Sequence, residues 1–361
     1  MSLVLTVDGE RWRGHLRSVA EANPGLVPVA KGNGYGFTIG RLARRTQWLA
    51  DQGLGGDTLA VGTYDELPQV ADRFGGDLLV LTPWRPFGAA LEVDPRLSPR
   101  LVHTVSRLPD LEELLARDPG ARFVLEHVTS MLRHGLAARE LWAAAALLTD
   151  RHPRARFEGV ALHLPLAQGS HLSEVHRLLN DVVGAELPPG PGATTVWVSH
   201  LTTEELAQLR AAYPDFTVRP RIGTQLWLGD RGALRATATV LDVHTVERGD
   251  VFGYRTHTAP KAGHILVVSG GTAHGIGLEA PTGDTSLKAR AATLARGGLD
   301  AVGFVRSPFS IDGKQRLFAE PPHMQASMLF LPHGSRVPEV GDRIDVRVRF
   351  TTTAFDRVVV S

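Results

Sequence analysis

The chain has 361 residues, enough for two domains rather than one small core. Its 43% hydrophobic and 21% charged content is that of an ordinary globular protein; the formal net charge of +1 names no partner, and no basic stripe interleaved with aromatics suggests nucleic acid. The absence of cysteine excludes disulfides, thiolate zinc sites and cysteine nucleophiles, and fits a cytoplasmic location.

The start, "MSLVLTVDGERWRGHL", has no basic n-region and is not read as a signal peptide. No run approaches the roughly 18 apolar residues of a membrane span. Short β-branched runs then recur at residues 26–30, 58–62, 77–81, 100–105, 122–126, 158–164, 194–199 and 216–222. Most are separated by helix-like stretches such as "IGRLARRTQWLAD", "LPDLEELLARD" and "SEVHRLLNDVVGA", whose leucines and alanines repeat at i, i+3 and i+4. Eight strands alternating with helices predict a (β/α)8 TIM-type barrel over 1–230. An open doubly wound sheet would normally show G-x-G-x-x-G after its first strand, and none is present. From 231 to 361 the texture becomes period two, as in "LRATATVLDVHTV" and "HILVVSGG", and predicts a mainly antiparallel β-domain. Only "TSLKARAATLARGG", residues 285–298, looks helical there.

In a barrel of this kind the active site lies at the C-terminal ends of the strands. Those positions hold Lys31, Glu126 followed by Arg133, His163, Ser199 followed by His200, Thr202 and Thr203, and Arg221. Each also has a structural reading: a solvated lysine, a turn at "KGNGYG", a core histidine, an ion pair of Glu126 with Arg133. Together on one face they favour an enzyme. A lysine at a barrel mouth without a metal-ligand spacing suggests Schiff-base chemistry. Ser199 and its threonines, before a helix at "TTEEL", suggest a phosphate cradle. A lysine with a phosphate site points to pyridoxal phosphate.

These segments resemble the alanine racemase family. "VPVAKGNGYGF" is similar to its cofactor-lysine motif, and "LAVGTYDEL", "SMLRHG", "GVALHL", "RPRIGTQLWLG", "ERGDVFGYRTHT" and "HMQASML" follow in the family's order. The resemblance implies pyridoxal 5'-phosphate, an amino-acid substrate and a homodimer with shared active sites. Lys31 would hold the cofactor and serve as one base. Tyr35 and Ser199 would contact its phosphate, and Arg221 its pyridine nitrogen. Arg133 would orient cofactor and substrate. Tyr254 of the other subunit would be the opposite base, held by His163, and Met324 of that subunit would reach the substrate. A cationic neighbourhood of His163 and Arg221 would favour the tyrosine's phenolate.

The chain also departs from the family. Glu126 stands where the family often has a carboxylated lysine, and would steer Arg133 directly. Thr272 replaces a tyrosine that narrows the substrate entrance; His274 and Gln325 each replace an aspartate. The phosphate-binding tyrosine near the family's C-terminus has no counterpart in "FTTTAFDRVVVS". The expectation is a two-base amino-acid racemase, with substrates other than alanine left open. Other reactions on the same cofactor (epimerisation or an aldolase-type step), a catalytically silent cofactor-binding or interaction protein, and a metal-free class I type aldolase barrel that binds no coloured cofactor are the alternatives.

Overall fold

After β1 (Leu3–Val7) and the helix Gly9–Ala22 come eight parallel strands: β2 (Val27–Pro28), β3 (Thr58–Val61), β4 (Asp77–Val80), β5 (Leu101–Val105), β6 (Arg122–His127), β7 (Arg156–His163), β8 (Thr195–Ser199) and β9 (Thr217–Ile222). Each overlaps one of the eight β-branched runs. Their order is β2-β9-β8-β7-β6-β5-β4-β3. A parallel bridge between Val29 and Ala60, with Ala30 N–H donating to Ala60 O at 2.8 Å, brings β2 back to β3 and closes the barrel. β2 is only two residues long because Pro28 has no N–H for the ladder. This computed structural model describes residues 2–166, 170–278 and 305–361; the helix expected over 285–298 lies outside them.

The helices Ile39–Asp51, Leu108–Arg117, Ala138–Arg151, Leu172–Gly184 and Thr203–Ala212 follow the i, i+3, i+4 pattern of leucines and alanines and bury that stripe. Inside the barrel Val27, Val29, Ala60, Leu79, Val102, Val124, Ala161 and Trp197 pack against one another. Trp197 is the largest of them: its indole N–H donates to Glu158 O at 2.9 Å and the Arg219 guanidinium lies 4.3 Å from its ring centre. A bulge at β7 shifts the register between Phe123 and Val124, and Gly159 (φ +130°) leaves the room that the indole takes. At the N-terminal end Arg122 is bidentate to Asp77 (2.6 and 2.5 Å) and reaches Glu158 at 2.8 Å.

The chain divides into two compact units, Arg13–Gly229 and Met1–Trp12 with Asp230–Ser361. This corrects the expected barrel span of 1–230 at its start. β1 is not a barrel strand; it pairs antiparallel with β10 (Leu234–Val246) and parallel with the C-terminal β18 (Arg357–Val360). The remaining strands of that unit are β11 (Val251–Phe252), β12 (His257–Thr258), β13 (Gly263–Ser269), β14 (Arg306–Ile311), β15 (Lys314–Phe318), β16 (Ala326–Pro332) and β17 (Arg343–Val346). β10 pairs with β17 in its first half and with β13 after a shift between Val240 and Asp242, so the order β10-β13-β16-β15-β14-β17 returns to β10. Leu3, Val240, Leu266, Phe309, Leu329 and Ile344 lie at its core.

Arg122→Ala is expected to lower stability by roughly 1–3 kcal/mol, because it strands two carboxylates that are only about a third exposed. An unchanged urea midpoint for the barrel would show that this network adds nothing.

Candidate active site at the barrel mouth

Strand side chains alternate between the barrel interior and the helix layer. Two residues beyond the packed interior layer, the next inward positions are therefore Lys31, Gly62, Leu81, Thr104, Glu126, His163 and Ser199. Arg221 follows Arg219, which faces Trp197. The strand ends singled out from sequence thus form one ring at the C-terminal mouth.

Lys31 is exposed at this mouth. The loop behind it turns sharply, with Gly32, Gly34, Tyr35 and Gly36 all at positive φ (61°, 64°, 54° and 86°). At Gly34 a Cβ would lie 2.5 Å from Ile39 N, so the turn requires glycine there. The turn buries Tyr35 and sets its hydroxyl against Gly223, where a Cβ would overlap it. Burial, then Glu66, pushes the Tyr35 phenol up to about 12, so it stays a donor at neutral pH. Desolvation, then Arg133 and Arg221, pulls the Lys31 ammonium below the ordinary lysine value, against an opposing pull from Glu66.

Arg133 sits exposed on the loop after β6. That loop is tied down around it: Thr129 Oγ1 donates to His163 O (2.7 Å), and Ser130 N–H and Oγ donate to the two oxygens of Glu174 (2.6 and 2.9 Å). His127 closes its base with Nδ1 2.7 Å from Leu136 O and Nε2 3.1 Å from Asp181.

Arg221 and Glu126 are both buried. Arg221 donates to Leu162 O at 2.9 Å, but its Nε and Glu126 Oε2 have no hydrogen-bond partner among the described residues. Burial lowers Arg221 to about 10, which leaves it a cation at neutral pH. Burial raises Glu126, with Arg221 and then Arg133 opposing. The expected direct steering of Arg133 by Glu126 is not made by a hydrogen bond among the described residues, and Arg221 opposes the rise in Glu126 more strongly than Arg133 does.

His163 Nδ1 lies 2.9 Å from Ser199 Oγ, and its ring stands 5.1 Å from that of His200. Desolvation, then Arg221, Arg133, His200 and Lys31, pulls His163 down to about 3. It is neutral in the physiological range, which corrects the expected cationic pair of His163 and Arg221 to the arginine alone. Thr202 proves to be a helix cap: its Oγ1 accepts from Glu205 N–H at 3.2 Å, and Glu205 Oε2 accepts from Thr202 N–H at 2.9 Å.

Tyr254, Thr272 and Met324 belong to the other unit and share one exposed face of it. Tyr254, at the turn between β11 and β12, is 90% exposed, and Met324 is 69% exposed. Buried Glu320 accepts from Tyr254 N–H (2.8 Å) and pairs with His323 Nε2 (2.7 Å). Thr272 N–H donates to His323 O (2.8 Å) and Ala273 N–H to Met324 O (3.0 Å), stitching the two loops together.

Two signals escaped the sequence reading. Lys31 is the only lysine before Lys261, in a chain otherwise rich in arginine, which singles it out from solvated charges. Glu66 accepts from Gly32, Gly62 and Thr63 amides at 2.7, 2.5 and 3.3 Å, and the bond to Gly32, 34 residues away, is the part that a local reading misses.

The family model described as alanine racemase, N-terminal domain, matches residues 10–186. Residues 10–186 thus carry an alanine racemase N-terminal domain. The fold of alanine racemase from Bartonella henselae with covalently bound pyridoxal phosphate is similar over all of both chains (TM-score 0.70, 16% identity). Alanine racemase from the D-cycloserine producing Streptomyces lavendulae is similar over 100% of this chain and 97% of its own (TM-score 0.66, 20% identity). That from E. faecalis is similar over 95% and 88% (TM-score 0.66, 20% identity). At these identities the likeness to the solved alanine racemases is one of fold. No curated protein is significantly similar in sequence.

The depressed His163 fixes a pH dependence. Below about pH 6.5 the unfolded chain takes up a proton that the folded site refuses, so this histidine makes stability fall as pH falls. Its imidazole resonances should stay fixed between pH 5 and 8 in an NMR titration; movement with a midpoint near 6.5 would contradict a half-buried neutral ring.

Proposed function

We propose that the protein is a pyridoxal-phosphate-dependent amino-acid racemase that moves a proton between the two faces of Cα with two bases, Lys31 and Tyr254 of a second copy. The observation that carries the reading is the single barrel lysine, at the mouth, with its ammonium destabilised beside Arg133 and Arg221. When bound, pyridoxal phosphate offers an aldehyde to an amine and withdraws electrons from an attached amino acid, acidifying its Cα–H.

The residues present fit that group. An uncharged lysine amine is the form that attacks an aldehyde. Arg221 brings a buried charged N–H without a partner among the described residues, suited to an unprotonated ring nitrogen. Tyr35, kept as a phenol, donates to a phosphate oxygen, and the bare backbone at Gly223 permits close approach. Ser199 offers a hydroxyl already oriented by His163. Arg133 provides the exposed cation for the substrate carboxylate.

Lys31 then holds or gives up a proton on one side, and the Tyr254 hydroxyl does so on the other. Exposed Tyr254 and Met324 on one stitched face support their use by a second subunit in a homodimer. A threonine at 272 leaves more room than a tyrosine, which favours substrates larger than alanine. His274 supports activity over a silent homologue. Its imidazole pairs with Asp356 at 3.1 Å and accepts from Gly271 N–H at 3.2 Å, so the altered residue keeps the turn in place.

The purified protein should show a pyridoxal-phosphate absorbance band that Lys31→Ala abolishes, and should racemise members of a D/L amino-acid panel. Tyr254→Phe should cut racemisation by about 100-fold or more while leaving Cα proton exchange on one face. Binding of the cofactor with no turnover of any amino acid would sink the racemase reading.

A further inference from the structure

Resting on that reading, we infer that Glu66 is a positioning residue for Lys31: its carboxylate clamps the peptide that follows the lysine to the loop after β3 and so fixes where the amine stands. One oxygen accepts from Gly32 N–H at 2.7 Å; the other accepts from Gly62 N–H at 2.5 Å and Thr63 N–H at 3.3 Å. The lysine backbone is held on its other sides by Ala30 N–H to Ala60 O (2.8 Å) and Gly34 N–H to Lys31 O (3.0 Å). Glu66 adds a restraint made by a side chain.

A plain helix cap is the competing explanation, because Glu66 ends the short turn Tyr64–Glu66. A cap needs only the Gly62 and Thr63 amides. The bond to Gly32 spans 34 residues and lands on the neighbour of Lys31, which capping does not require. Gly62 points the same way. A Cβ there would sit 3.0 Å from both Lys31 Cβ and Glu66 Oε2, so the absent side chain lets the lysine stem and the carboxylate close on one spot.

The same placement gives Glu66 an electrostatic effect. Lys31 is faced by Arg133 from the loop after β6 and Arg221 from β9, which both disfavour its charged form, and by Glu66, which favours it. His163 from β7 and His200 after β8 also sense the lysine, and both are held below the ordinary imidazole value, first by burial. Glu126 shares their ring. Removing the Glu66 charge therefore makes Lys31 easier to deprotonate, whereas shortening its reach releases the Gly32 peptide.

Two variants of the full chain separate these effects, with thermal melts checking the fold. Trinitrobenzenesulfonate labelling of Lys31, followed across pH by mass mapping, reads the amine without any cofactor. Titration with pyridoxal 5'-phosphate reads its placement. Glu66→Gln should lower the labelling midpoint by about half to one pH unit. Glu66→Asp should keep the wild-type midpoint but weaken pyridoxal-phosphate binding roughly tenfold or more. An unmoved midpoint in Glu66→Gln, or wild-type cofactor binding in Glu66→Asp, overturns the assignment. If Glu66→Gln loses its cooperative melt, Glu66→Asp decides alone. If the wild-type chain takes up no pyridoxal phosphate, the proposed function fails, and the labelling midpoint of Glu66→Gln still decides the role of Glu66.

Discussion

In a sheet closed on itself, every second side chain of each strand points inward, and the pleat fixes which residues those are. The packed layer of Val29, Ala60, Leu79, Val102, Val124, Ala161 and Trp197 admits little but apolar atoms. One step further along every strand the interior opens to the mouth. Lysine, glutamate, histidine, serine and arginine become tolerable there, because their polar ends reach solvent or one another. The site is therefore a consequence of closure: the strand registers that seal the apolar layer also set His163, Ser199 and Arg221 side by side.

The ring so formed has an uneven charge balance, and burial decides how it resolves. Arg221 is fully desolvated yet keeps its proton, since a guanidinium starts far above neutrality and Glu126 faces it. The groups with lower intrinsic values yield instead: His163 is neutral, and Lys31 is displaced toward its amine. A cationic mouth with one yielding amine is what a phosphate-bearing aldehyde requires. Glu126 within the ring and Glu66 at its rim oppose that field, the first at Arg221 and the second at Lys31.

Much of this was legible in the residues, for local reasons. The eight β-branched runs and the leucine periods of the helices are short-range patterns, and Lys31, Glu126, His163, Ser199 and Arg221 stand at the ends of such runs. What was not legible depends on distant partners. β1 looks like any apolar patch; only its pairing with β10 and β18, more than 200 residues away, places it outside the barrel. Thr202 reads as a phosphate ligand until its bond to Glu205 makes it a cap. Charge states were hidden for the same reason, since the neutrality of His163 comes first from burial, which one sequence does not display.

The β-domain face that carries Tyr254, Thr272 and Met324 shows how a binding surface can change while its frame holds. The hydrogen bonds of its loops run through backbone groups and through Glu320, His323 and His274, while the outward positions carry none of that load. At position 274, where the family has an aspartate, the histidine reaches Asp356, whose other oxygen accepts from Leu3 N–H at 2.7 Å. That chain of contacts binds the turn to both the first and the last strand of the unit. On the proposed reading, a threonine at 272 changes the size of what enters without loosening the loop, because the bonds that hold the turn run through the backbone and His274.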